Sequence, residues 1–170
     1  MFRIFFVLFI GCIYQSSNAQ DMQLKTRFSN DWDSWEAEGI TIRTRFSEDW
    51  DSWEAKVKGQ TIQIRTCFSN DWDCWQVGSL KVKTRFSEDW DSWEIRGNGI
   101  SIDVKTRFSN DFDSWETKGD VSIEMKTRFS NDWDQWEIED QVLDLRPDVQ
   151  AAILFVAIFT SSIQQRGLHK

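Results

Sequence analysis

Histidine, proline and tyrosine are each present once, and the single histidine, His169, stands next to the last residue of the chain. Catalysis that turns on an imidazole therefore has almost nothing to stand on, and no serine or thiol has a base beside it in the pattern. Three cysteines are too few for the disulfide framework of a small stapled scaffold. Basic residues are outnumbered, 20 Lys and Arg against 28 Asp and Glu, and the net charge of −8 argues against nucleic acid as a partner. No apolar run reaches the roughly twenty residues that a bilayer-crossing helix needs.

The longest early run, Ile4 to Ile13, follows Arg3 and gives way to a polar stretch ending Ser17-Asn18-Ala19. That order matches a signal peptide over residues 1–19 and predicts a secreted, periplasmic or cell-surface protein. Its removal takes one Arg and no acid, leaving 19 basic and 28 acidic side chains, a net charge of −9. Cys12 goes with it, so Cys67 and Cys74 remain for an oxidising setting.

What fills the rest is a phrase said six times. Phe28-Ser29-Asn30-Asp31-Trp32-Asp33-Ser34-Trp35-Glu36 returns at Phe46–Glu54, Phe68–Gln76, Phe86–Glu94, Phe108–Glu116 and Phe129–Glu137. Repetition at this period marks an array of equivalent units. Ahead of each phrase, apolar and polar residues alternate, as in Ile40, Ile42, Thr44 and Phe46 against Thr41, Arg43 and Arg45, the signature of a half-buried strand. After each phrase the alternation resumes through Trp53, Ala55 and Val57 and their counterparts, and a Gly-bearing turn at Gly39, Gly59, Gly78, Gly97–Gly99 or Gly119 leads into the next unit.

Each unit then reads as one hairpin. The phrase-opening Phe residues are 18, 22, 18, 22 and 21 positions apart. A change of four adds two residues to each arm and leaves every side chain on its face, whereas the final 21 predicts a bulge or altered turn near Gly119-Asp120. With Phe28 set opposite Trp35, the tip is Asn30 to Asp33 and Arg27 meets Glu36. In the third unit Cys67, Cys74 and Gln76 stand for Arg27, Ser34 and Glu36. Cys67 and Cys74 share a face in any register with an even-length tip, which predicts a disulfide within that hairpin.

A meander has one wholly apolar face that must be covered. The tail supplies the cover: Pro147 is placed to open a helix, Val149 to Ile163 is apolar nearly all round, and Gly167 follows. The run is short for a bilayer and reads as the plug of a curved sheet. The fold expected is mainly β, an antiparallel hairpin meander of about twelve strands over residues 20–146, as curved sheet or barrel, with a buried helix at 147–166.

All six phrase tips fall on one edge. That edge gathers Asp31, Asp33, Asp49, Asp51, Asp71, Asp73, Asp89, Asp91, Asp111, Asp113, Asp132 and Asp134 around Trp32, Trp50, Trp72, Trp90, Phe112 and Trp133, with Glu48 and Glu88 added. Three readings compete for it. Asp and Asn bond turn backbones and Trp folds over hairpin ends, which is architecture. An indole beside carboxylates and an amide is also how a protein meets a sugar, so a glycan or another cell-surface component is an expected partner. The Asp-x-Asp-x-x-Glu spacing offers oxygen ligands to calcium, the one cofactor contemplated, without the glycine and twelve-residue span of an EF-hand loop. Carboxylates that recur at every turn argue for a non-enzymatic structural or binding module.

The hairpin of about twenty residues with aromatic and glycine markers is similar in pattern to MORN repeats and to the choline-binding repeats of surface proteins, although neither motif is present as such. Blocks of 18 + 22 residues also resemble the arithmetic of a β-trefoil lectin. A trefoil's two hairpins differ in environment, and these six phrases hardly differ at all.

Overall fold

A computed structural model describes residues 21–167 apart from Asn30 and Glu48. The expected signal peptide at 1–19 and His169 lie outside the described residues. Twelve strands follow one another: β1 Met22–Thr26, β2 Ser34–Ala37, β3 Ile40–Thr44, β4 Ser52–Val57, β5 Gln60–Thr66, β6 Cys74–Val77, β7 Leu80–Thr84, β8 Ser92–Gly97, β9 Ile100–Thr106, β10 Ser114–Gly119, β11 Glu124–Phe129 and β12 Asp132–Ile138. A 3-10 turn, Asp140–Asp144, leads into the helix α1, Pro147–Arg166.

Each strand pairs antiparallel with its neighbours in sequence, and β1 pairs with β12, from Met22 opposite Ile138 to Lys25 opposite Gln135. The meander is a closed barrel. Closure removes both sheet edges, so none of its backbone is left as a template for another chain. The alternation of 18 and 22 residues appears as arm length. β4 and β5 have six and seven residues, β8 and β9 likewise, while β2 with β3 and β6 with β7 have four and five.

The irregular last interval is taken up where the spacing placed it. β11 begins only at Glu124; residues 120–123 leave the ladder, and the Thr117 hydroxyl stands in, donating to Val121 O at 2.9 Å and accepting from Ile123 N at 2.8 Å. Val121 and Ile123, read from the alternation as strand, therefore sit in a loop. A second slip of register falls between Thr127 and Phe129.

Inward positions are apolar and outward ones charged. Trp35, Trp53, Trp75, Trp93, Trp115 and Trp136 form an inner belt, each at most 1% exposed. Outside, cross-strand pairs such as Arg43–Glu54 at 2.7 Å and Lys126–Glu137 at 3.3 Å run around the wall. Such exposed pairs add solubility and little stability.

The helix α1 fills the belt. Pro147 occupies its first turn and Gly167, at φ 61°, ends it in the left-handed conformation that glycine adopts freely. Every residue from Ala151 to Phe159 is fully buried, which is why the run had to be apolar on all sides. Phe159 meets Trp75 at 4.6 Å between ring centroids, Trp72 at 5.7 Å, Trp90 at 6.0 Å and Trp93 at 6.2 Å, mostly edge to face. Phe155 lies 4.8 Å from Trp75 and 5.8 Å from Trp53. At 20 residues the helix exceeds the expected apolar run and is long and apolar enough to cross a membrane, yet 83% of that window is buried inside the barrel.

The helix also has a direction. It enters at the end of the barrel opposite the phrase tips, where the Ser79 hydroxyl donates to Asp148 at 3.0 Å, and it ends among the tips, where the Ser162 hydroxyl donates to Trp32 O at 3.2 Å. Arg166 then lies 4.8 Å above the Trp50 ring and 3.5 Å from Asp33.

Candidate functional site: the rim of phrase tips

The register at the tips differs from the expected one by two residues. Thr26, not Phe28, faces Trp35, and Lys25, not Arg27, faces Glu36, with a salt bridge of 3.7 Å. Arg27 stands across from Ser34, whose carbonyl accepts from Arg27 N at 2.9 Å. The loop accordingly runs from residue 28 to 33, six residues rather than four. An even slip keeps the strand faces as expected and expels the phenylalanine. Phe28, Phe46, Phe68, Phe86, Phe108 and Phe129 are 57–72% exposed, where the alternation had placed them inside.

The same register explains the third unit. Cys67 faces Cys74 directly and the two form a disulfide with a Cα–Cα distance of 5.4 Å. They replace the Arg27–Ser34 pair, and Gln76 lies opposite Arg65 instead of completing a lost charge pair with Cys67. Replacing both cysteines by serine is expected to lower the unfolding free energy by about 2–3 kcal/mol, the loop-closure value for so short a ring. Urea unfolding without reductant measures it.

From the second tip to the fifth the two aspartates do different work. The first bends its own tip: Asp49, Asp71 and Asp111 each accept from the backbone N–H two residues on, at 3.2, 3.2 and 3.1 Å. The second reaches to the next tip. Asp51 accepts from Asn70 N at 2.9 Å and from the Trp72 indole at 2.8 Å; Asp91 accepts from Asn110 N at 3.3 Å. Asp73 takes Glu88 N at 3.1 Å and the Ser87 hydroxyl at 2.8 Å. Asp113 takes Asn131 N at 2.9 Å, the Ser130 hydroxyl at 3.0 Å and the Trp133 indole at 2.7 Å.

The residue whose N–H is taken is left-handed in every described case: Asn70, Asn110 and Asn131 at φ 58° and Glu88 at φ 59°. Asparagine tolerates that conformation better than most side chains, which accounts for its place in the phrase. Asp113→Ala is expected to cost about 2–3 kcal/mol by leaving three donors unpaired, against about 1 kcal/mol for Asp111→Ala. Matched thermal melts of the two variants decide it.

The tip aromatics turn inward. Trp32 and Trp50 are 6% and 9% exposed, and Trp72, Trp90, Phe112 and Trp133 are half-buried against the core. Trp32, Trp50, Trp90 and Phe112 pack on the aromatic three residues later, as Trp50 does on Trp53 at 5.4 Å, and in all six tips the carbonyl accepts that indole's N–H, at 2.7–3.1 Å around the ring. Trp32 and Trp50 thus present no face to a sugar. Between the third and fourth tips, however, a shallow cleft is lined by Asn70, Asp71, Trp72, Asp73, Glu88 and Trp90.

Two carboxyls are held above the ordinary range: Asp89 by a hydrogen bond shared with Asp91 and then by burial, and Asp134 by burial and then by Asp132 beside it. Both bind a proton more tightly folded than unfolded. The stability they contribute is present below the unfolded value and lost as pH rises through the folded one. Among the described residues no group of three or more acidic, His or Cys side chains is gathered as a metal would need. Asp31, Asp132 and the others of the twelve are spread around the rim, one pair to a tip.

The outward surface of a tip is therefore Arg, Phe and Ser with the left-handed Asn or Glu, and the aspartates and indoles lie behind it. Guanidinium groups of Arg27, Arg45 and Arg128 lie 5.4, 5.6 and 5.6 Å from the centroids of Phe28, Phe46 and Phe129. Period-two extrapolation beyond the strand end missed this. In the first, fifth and sixth units the Arg-Phe pair standing immediately before Ser-Asn, a turn-forming dipeptide, was the available signal. Compared with known proteins, the chain matches no family model, no curated sequence and no solved structure.

Proposed function

We propose that the protein is a non-enzymatic binding module that works outside the cell and uses the tip rim as its binding face. The observation that carries this reading is the ring of six outward phenylalanines, the exposed large hydrophobic side chains of an otherwise charged wall. Folding alone does not account for them, since an exposed phenyl ring contributes little to the core and costs solubility. The barrel's interior is occupied by α1, so a ligand has the outside to bind to. The tip carboxylates support turn geometry, and their sixfold repetition suits avidity rather than one reactive centre.

A glycan is favoured as ligand by the cleft at Trp72 and Trp90, where half-buried indoles adjoin the Asn70 amide and the Glu88 carboxylate. Titrating a glycan panel while following tryptophan emission is expected to give a saturable change that Trp90→Ala removes with folding intact. Calcium added to the same cuvette tests a metal requirement. Silence toward glycans and calcium alike would remove both ligand readings.

A further inference from the structure

We infer that the six phenylalanines are shallow anchors that seat the barrel end-on upon a bilayer of zwitterionic phospholipid. This rests on the reading of the tip rim as a binding face. Three features of the rim lead to it.

The first is spacing. Five of the phenylalanines stand on inter-strand loops, one loop in every two, and Phe129 ends β11 beside the sixth tip, so all six lie at one end of the barrel. With strands about 4.8 Å apart and tilted by roughly 40°, neighbouring anchors are about 12–13 Å apart around the rim. Aromatic rings pack on one another within about 7 Å, so these six cannot close into a common patch. A rigid protein partner would need six sockets at matching positions. A fluid planar surface needs none, because each ring enters independently.

The second is charge. Five of the anchors follow an exposed arginine, namely Arg27, Arg45, Arg85, Arg107 and Arg128, while the tips hold twelve aspartates with Glu48 and Glu88. The arginines and phenyl rings are outermost and the described tip aspartates are half-buried behind them. With Arg166 beside Asp33 there are six cations against fourteen carboxylates, so the rim is net negative, which disfavours an anionic lipid surface and equally a second copy docked rim to rim. A zwitterionic headgroup is neutral and offers both signs, its phosphate to the arginines and its quaternary ammonium to phenyl faces and carboxylates.

The third is depth. The wall behind the rim carries Lys, Arg or Glu on every strand but β6, so the barrel cannot sink in as a membrane β-barrel does. Contact stops at the headgroup and upper acyl level, the depth of an interfacial anchor.

The test is co-sedimentation of the full chain with phosphatidylcholine vesicles and with phosphatidylserine-rich vesicles, beside the variant in which all six phenylalanines are serine. The substitutions are at exposed positions, and an unchanged melting temperature is expected to confirm an intact barrel. Binding to phosphatidylcholine is expected, weakened about three- to tenfold by each Phe→Ser change and lost in the sixfold variant. That variant keeps the apolar run Ile4–Ile13, so any pelleting it retains measures that segment alone.

Equal binding by both proteins overturns the inference, as does tighter binding to phosphatidylserine, or a dimer in light scattering that the sixfold variant dissolves. A glycan response without vesicle binding leaves the binding module standing and removes the bilayer. Failure of both removes the two together.

Discussion

A chain ended at Asp144 is expected to yield no barrel: weak strand signal in circular dichroism, exposed apolar surface by dye binding, and aggregation in gel filtration. The reason is geometric. Twelve strands set a circumference that cannot shrink, because strand number and tilt fix the radius. The belt of Trp35, Trp53, Trp75, Trp93, Trp115 and Trp136 would then face a void the width of a helix, about 10 Å across. Within the intact chain, Phe159→Ala is the graded form of the same experiment. It removes the ring that touches four tryptophans and is expected to cost about 3–5 kcal/mol in urea unfolding. A truncated chain as soluble and stable as the whole would mean that the wall stands without its plug.

Much of this architecture could be read from side-chain alternation, and the failures have one cause. Wherever a residue lay in a strand with one buried face, parity decided its place: Ile42, Trp53, Val82 and Ile102 all point inward with no exposed surface, as the period-two pattern required. Even-numbered changes of arm length keep that parity, which is why intervals of 18 and 22 residues fit one barrel. The tips obey different rules. A left-handed residue at Asn70 or Asn110 and an aspartate bonded two residues ahead break the alternation, and the side chain before them leaves the sheet.

The aromatic rim was thus legible in composition but inverted in position: Trp inside, Phe outside. The roles of Asp51, Asp73, Asp91 and Asp113 were harder still, because each bonds the tip of the following repeat, and nothing in one copy of the phrase points to its neighbour. That dependence also gives a reason for six nearly identical phrases. A tip must both offer a carboxylate forward and receive one from behind, so a change in either half is felt by two repeats.

The irregular tenth and eleventh strands hold the most demanding backbone in the wall. Gly119 closes β10 at φ 111°, a region in which a side chain is strained, and a Cβ built there would lie 2.3 Å from the carbonyl oxygen of Ser101 and 3.5 Å from the Cα of Ile102. Neither neighbour is free to yield. Ser101 O already accepts from Asp120 N at 3.1 Å while Ser101 N donates to the Asp120 carboxylate at 2.7 Å, so the strand and the loop are clamped on both sides of the glycine. Gly39, at φ 69°, meets nothing within 4 Å. The two positions separate conformational strain from collision. Gly39→Ala is expected to cost about 1 kcal/mol, the penalty of a left-handed residue alone. Gly119→Ala adds backbone displacement along β9 and is expected to cost roughly 3–5 kcal/mol, with hydrogen exchange quickening first at Thr117 and Ile123, whose bonds hold the same irregular turn. Equal melting temperatures for the two variants would show that the last repeat relaxes as easily as the first.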